Sequence, residues 1–179
     1  MSGDAKSSSH KRSSNKTSPL MISLDDVPET VLVPAKHLSG GSVGAKIAYG
    51  ADVSLMVATR QPGYHSRPHV HDSEQLNYVL AGELYVFIDE TGFLVKQGDI
   101  FRVPRNAVHW SWVQGTVPCV LLETHAPPLI ADPGVMDTAV ALMTAAEKGA
   151  VIIKVGSQWP TDIDQGSVER RVMAQTAAA

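Results

Sequence analysis

The sequence predicts an all-β fold, and three observations carry that expectation. Short runs rich in Val, Ile, Leu and aromatic residues recur between Val31 and His125. Turn-forming residues separate the runs at regular spacing, the pattern of a sandwich or barrel. No long segment with helical periodicity interrupts them, which argues against a sheet of alternating strands and helices.

The elements follow in chain order. Residues 1–20 hold seven serines and four Lys/Arg against one acid. Too few apolar groups are present to offset the entropy of ordering, so this zone reads as a disordered basic tail. Met21 stands as an alternative start. Residues 21–130 read as the β domain. Its strand segments are Val53–Ala58, Asn77–Leu80, Leu84–Ile88, Phe93–Val95, Ile100–Val103, Ala107–Val113 and Val117–Thr124. Turn chemistry such as Gln61-Pro62-Gly63, Ala81-Gly82 and Gln97-Gly98-Asp99 separates them. Residues 131–179 read as a C-terminal helical extension. Asp132 and Pro133 suit the N-cap and first position of a helix over Val135–Lys148, closed by Gly149. Ala150–Val155 is expected as an edge strand, and a second helix from about Gln165 to Ala174.

Composition narrows the function. The 179 residues are 44% hydrophobic but only 18% charged, below the usual quarter. A chain so poor in charge is expected to cover surface with a second copy, as a homodimer, with Trp110 and Trp112 on the face closed by the partner. The net charge of -3 argues against a nucleic-acid partner. No apolar run reaches the roughly 18 residues of a membrane span, and no hydrophobic signal core is seen. The lone cysteine, Cys119, permits neither an intrachain disulfide nor a Cys-rich zinc site. The expected location is cytoplasmic.

Five of the seven histidines fall between His65 and His125; His10 and His37 read as incidental. The densest pattern is Gly63-x5-His69-x-His71-x3-Gln75-x6-Gly82. Residues two apart on a strand share a face, so His69 and His71 point the same way, and Gln75 has the same parity. Further on stands Gly98-x5-Pro104-x-Asn106-x2-His109. Three imidazoles and one amide oxygen converging on one point would suit Fe, Ni, Cu, Mn or Zn.

These two segments resemble the paired motifs of the cupin superfamily, G-x5-H-x-H-x3,4-E-x6-G and G-x5-P-x-G-x2-H-x3-N. Three positions depart: Gln75 for Glu, Asn106 for Gly and Val113 for Asn. The resemblance implies a cupin-type jelly-roll β-barrel. It implies that His69, His71, Gln75 and His109 hold one divalent transition metal, Fe, Mn, Ni or Zn. Gly63, Gly82 and Gly98 match turn positions, and Asn106 replaces glycine with the side chain that best tolerates a left-handed backbone. Gln75 removes the carboxylate that would lower the metal's charge and serve as a base. Four neutral ligands favour Lewis-acid chemistry.

Around this centre, His65, Tyr78, Glu123 and His125 are the candidate catalytic residues. His65 is placed near the cavity rim as a proton carrier, and Tyr78 along the pocket. Glu123 and His125 share one strand face, and one of the two is expected beside the metal. Arg60, Arg67 and Arg102 are candidates to grip a carboxylate, each competing with a role as a solvated charge. Glu74 alternates away from the site, and Cys119 is expected buried and inert. The expected function is a mononuclear metal-dependent enzyme acting on a small oxygenated organic molecule by isomerase, cyclase or lyase chemistry. A non-heme iron dioxygenase and a non-catalytic small-molecule-binding protein are the alternatives.

Overall fold

The computed structural model describes residues 20–130, 134–148, 156–159 and 162–178. In chain order the described strands are β1 (Glu29–Val31), β2 (Leu38–Gly40), β3 (Val43–Tyr49), β4 (Ser54–Arg60), β5 (His65–Ser66), β6 (Glu74–Ala81), β7 (Glu83–Ile88), β8 (Thr91–Lys96), β9 (Ile100–Val103), β10 (His109–Trp112), β11 (Cys119–Ala126) and β12 (Val140–Ala141). Two helices, α1 (Ala145–Lys148) and α2 (Gln165–Ala177), follow the strands.

The strands form two facing sheets, a jelly roll. One runs β1-β3-β4-β11-β6-β9, with β12 added beside β3; the other runs β2-β5-β10-β7-β8. Alternation decides which side chains enter the space between them. On β11, Cys119, Leu121, Glu123 and His125 are buried and their neighbours are more exposed. On β6 the buried residues are Gln75, Asn77 and Val79. Antiparallel pairing sets His125 opposite Gln75 and Glu123 opposite Asn77, so four polar side chains form a block on an otherwise apolar inner face. Leu84, Val86, Phe101, Val103 and Leu121 pack around that block.

Motif glycines Gly63, Gly82 and Gly98 all take positive φ, and Asn106 does so at 61°, as their positions in the turns require. A Cβ on Gly82 would lie 2.4 Å from the Pro118 carbonyl oxygen, so the hairpin admits no larger residue.

Two expectations are corrected here. The stretch Val135–Lys148 is not one helix. It runs as turns, then as β12 parallel to β3, then as the single turn α1. The edge of β3 near Ala48 and Tyr49 offers ladder hydrogen bonds, and Leu142 N–H donates to Tyr49 O at 2.8 Å. Val135 meanwhile joins the barrel core. Tertiary pairing thus overrides helical propensity. Secondly, the outer face bearing Trp110 and Trp112 is covered by α2 of the same chain, not left for a partner. Phe87, Trp110, Val168 and Val172 form a second core there. Helix α2 matches its expected start at Gln165, and Asp164 caps it by accepting from Ser167 N–H at 3.0 Å. Residues 1–19 of the expected tail at 1–20, the helix start at Asp132-Pro133 and the edge strand Ala150–Val155 lie outside the described residues. No helix among the described residues is long and apolar enough to cross a membrane.

Candidate metal centre

His69 and His109 face each other across an antiparallel bridge, each N–H donating to the other's carbonyl at 3.0 and 2.9 Å. His71 follows two residues after His69 on the same side. Each ring is oriented by its own backbone. Nδ1 of His69 lies 3.1 Å from Arg67 O, that of His71 2.9 Å from Ser73 O, and that of His109 3.0 Å from Ala107 O. A carbonyl only accepts, so Nδ1 carries the proton in all three, and each Nε2 keeps its lone pair. The potential ligand atoms of the three histidines lie within 4.8 Å of one another. Burial holds the rings neutral. It pushes His69 down to about 3 and His109 well below its ordinary value, and the neighbouring imidazoles add to the effect in both. Neutral imidazole is the ligand form.

Gln75 extends this set. Its Nε2 donates to Asn77 Oδ1 at 2.7 Å and to Glu123 Oε2 at 2.8 Å. A carboxylate only accepts, which identifies the amide nitrogen and turns Oε1 the other way, 3.3 Å from His71 Nε2. Glu123, buried to 2% exposure, accepts from Arg60 Nη1 through its second oxygen at 2.5 Å. The guanidinium carbon of Arg60 sits 5.4 Å from the centre of the Tyr64 ring. Three imidazole nitrogens and one amide oxygen, each locked from behind, fit a nitrogen–oxygen site for a divalent transition metal.

The centre opens into a cavity of about 380 Å³ lined by Arg60, Tyr64, Ser111, Glu123 and His125 among others. Both candidates on β11 therefore reach it. His125 stands with its ring centre 5.3 Å from that of His71, and its Nδ1 is buried without a hydrogen-bond partner among the described residues. Burial lowers its pKa to about 3, and His71 and Arg60 add to this.

Other expected residues lie elsewhere. Tyr78 is 39% exposed and points out of the barrel, because it alternates with Gln75 and Asn77 rather than sharing their parity. His65 is also outside the cavity. Strand β5 is only two residues long, and Ser66, not His65, faces Ser111. The His65 ring stacks on Trp112 at 4.5 Å, and its Nε2 lies 2.7 Å from Glu169 Oε1 on α2. Arg102 pairs with Glu74 at the surface, and Arg67 is exposed and absent from the lining. Arg60, whose solvated reading the structure overturns, is buried and paired. Cys119 is buried, and its thiol is pushed up to about 11 by burial. Among the lining residues that escaped the sequence reading are His37, taken as incidental, and Trp159. Both stand in segments without strand periodicity, where no sequence signal marks them.

The family comparison meets this geometry directly. Residues 56–125, which contain every metal candidate and the Glu123–His125 pair, match the family described as Cupin domain. These residues carry a cupin domain. This cupin is 29% identical over 97 residues to the pectin degradation protein KdgF of Dickeya dadantii (strain 3937), a match covering 52% of the chain and 86% of the relative. It is 32% identical over 111 residues to germin-like protein 9-2 of Oryza sativa subsp. japonica. That match takes in 59% of the chain and spans half the length of the rice protein. Among solved structures it is similar to an RmlC-like cupin from Shewanella frigidimarina NCIMB 400, with a TM-score of 0.49, 20% identity and coverage of 57% of this chain and 86% of that one. Similar too is KdgF from Halomonas sp., with a TM-score of 0.48, 21% identity and coverage of 57% and 90%. The family match ends at residue 125, so His37 and Trp159 of this cupin lie outside it.

Proposed function

We propose that this cupin is a mononuclear metal-dependent enzyme that acts on a small oxygenated organic substrate by isomerase, cyclase or lyase chemistry. Nε2 of His69, His71 and His109 and Oε1 of Gln75 would hold a divalent transition metal, which would supply Lewis-acid chemistry toward a substrate oxygen. The four donor side chains are neutral and offset none of the cation's charge.

The observation that carries this reading is a division of labour beside the ligands. Both oxygens of Glu123 are engaged, one by Arg60 and one by Gln75. Glu123 is therefore a positioning residue that aims the amide oxygen of Gln75. His125, in contrast, brings into the same cavity a buried Nδ1 with no hydrogen-bond partner among the described residues. His125 is assigned to hold or move the proton, and Arg60 to face the substrate's negative charge. The apolar walls from Leu84, Val86, Phe101 and Leu121 exclude water from that exchange.

Elemental analysis of the purified protein tests the centre. One divalent transition metal per chain is expected, and loss of it in His109→Ala. A His109→Ala protein with unchanged metal content overturns the ligand assignment. Oxygen consumption coupled to turnover would replace the redox-neutral chemistry with that of a dioxygenase.

A further inference from the structure

The cavity wall beside His69 is built by residues that the metal donors do not account for. His69 is the least buried of the three histidines. Its ring lies between that of His109, at 4.1 Å, and that of Trp159, at 4.6 Å. Trp159 in turn stacks flat on His37, with centroids 4.1 Å apart and planes 2° apart. Both line the cavity and both are partly exposed, so they form part of its rim.

The backbone repeats this arrangement. Successive residues of an extended segment aim their N–H and C=O groups at opposite edges. His69 pairs with His109 on one edge. Val70, which lies between His69 and His71, pairs with Gln158 on the other: Val70 N–H donates to Gln158 O at 2.8 Å, and Gln158 N–H to Val70 O at 2.9 Å. The ligand-bearing segment is thus held between β10 and the strap of residues 156–159. A second tie comes from the N-terminal side. Arg67 N–H donates to His37 O at 3.0 Å, and Arg67 O accepts from His69 Nδ1.

Resting on the metal reading above, we propose that Trp159, carried by the strap at 156–159 and backed by His37, is a positioning and specificity-determining residue of the metal centre. Its indole holds the His69 imidazole in the orientation that binds the cation. It also narrows the cavity rim on that side, so that compact substrates pass and wide aryl ones do not. The strap lies outside the span that matches the cupin family.

Cobalt(II) titration of the full-length protein, read by its visible absorption bands, tests this. Wild type and Trp159→Phe are expected to bind one cobalt with matching spectra, because an aromatic ring still backs His69. Trp159→Ala is expected to bind about tenfold to a hundredfold more weakly, the range for residues that orient ligands, with altered bands. Gln158→Pro removes the strap's N–H donor while keeping the indole, and is expected to weaken cobalt in the same direction. Acetohydroxamate should bind the cobalt-loaded wild type and Trp159→Ala alike, whereas naphthohydroxamate should gain at least about tenfold in Trp159→Ala, an opened pocket's gain. Wild-type binding with unchanged affinity and spectrum in Trp159→Ala overturns the positioning role. An unchanged ratio of the two hydroxamates overturns the specificity role. A wild type that takes up no cobalt overturns the metal reading, and this inference with it.

Discussion

Among the described residues two acids are buried, on opposite faces of the barrel wall, and their surroundings differ. Glu123 lies between the sheets and accepts from Arg60 and Gln75. Glu169 lies between α2 and the outside of the smaller sheet, where its Oε1 accepts from Trp110 Nε1 and Gln165 Nε2, both at 2.9 Å, and pairs with His65. Glu123 is 2% exposed with two partners, and Glu169 is 8% exposed with three. The two networks differ in where they end. The Glu169 network closes on groups that pack the helix. The Glu123 network continues through the amide of Gln75 to the histidine cluster and stands beside a His125 nitrogen that has no partner among the described residues. A buried polar network marks a functional site when one end opens into a cavity; a closed one fastens elements together.

Substitution separates the two cases. Glu123→Leu is expected to have the largest effect, because it strands the Arg60 charge in the interior. Removing one partner of such a pair costs about 3–5 kcal/mol, and metal affinity should fall about 10- to 100-fold as Gln75 loses its anchor. Urea unfolding and metal titration read the two effects. If stability falls but metal affinity holds, Glu123 fastens rather than aims, and the contrast is lost.

Acid distinguishes the networks next. His69 and His125 are held neutral to about pH 3 by burial. Below their unfolded value of about 6.5 the unfolded chain takes up protons that the folded chain refuses. The metal-free protein should therefore lose about 1.4 kcal/mol per pH unit for each such imidazole as pH falls from 6.5 towards 3. Glu169 behaves differently. Burial raises its pKa, but the bonds from His65 and Gln165 outweigh burial and leave it lowered. Its contribution is present above the usual carboxylate value and is lost only as pH falls through the depressed one. Denaturant titrations at pH 7, 6 and 5 should show the cavity's slope alone, and His125→Leu should reduce it by one imidazole's share.

Smaller effects complete the comparison. Glu169→Ala is expected to cost about 1–3 kcal/mol, since it leaves the Trp110 N–H and its neighbours without an acceptor, with metal content unchanged. Loss of metal in that variant would mean that the helix network reaches the site. Glu74→Ala removes only a surface pair with Arg102. Surface pairs contribute little, so neither melting temperature nor metal content should move, and a fall in metal would make Glu74 rather than Gln75 the fourth donor.

Much of this was legible in residue order because strand geometry is local. A period of two assigns His69, His71 and Gln75 to one side, and it places Glu123 and His125 together on β11 without knowledge of the partner strand. The same rule, followed along β6, would have turned Tyr78 outward. His65 was placed at the rim by its nearness to His69, but the two-residue strand β5 turns it toward α2 instead. The Val135–Lys148 stretch was misread because its local propensity is helical, whereas the open edge of β3 supplied ladder bonds from 90 or so residues away.

Residue order alone specified the barrel, its turns and the shared face of His69, His71 and Gln75, since local strand and turn geometry decides them. Folding selected the partners of each charge and the cover of each face. Arg60 meets Glu123 across 63 positions and His65 meets Glu169 across 104. His37 meets Trp159 from outside the matched family span on either side. No periodicity encodes such contacts; they exist because chain closure brings distant apolar and polar surfaces together where burial and hydrogen bonding reward both at once.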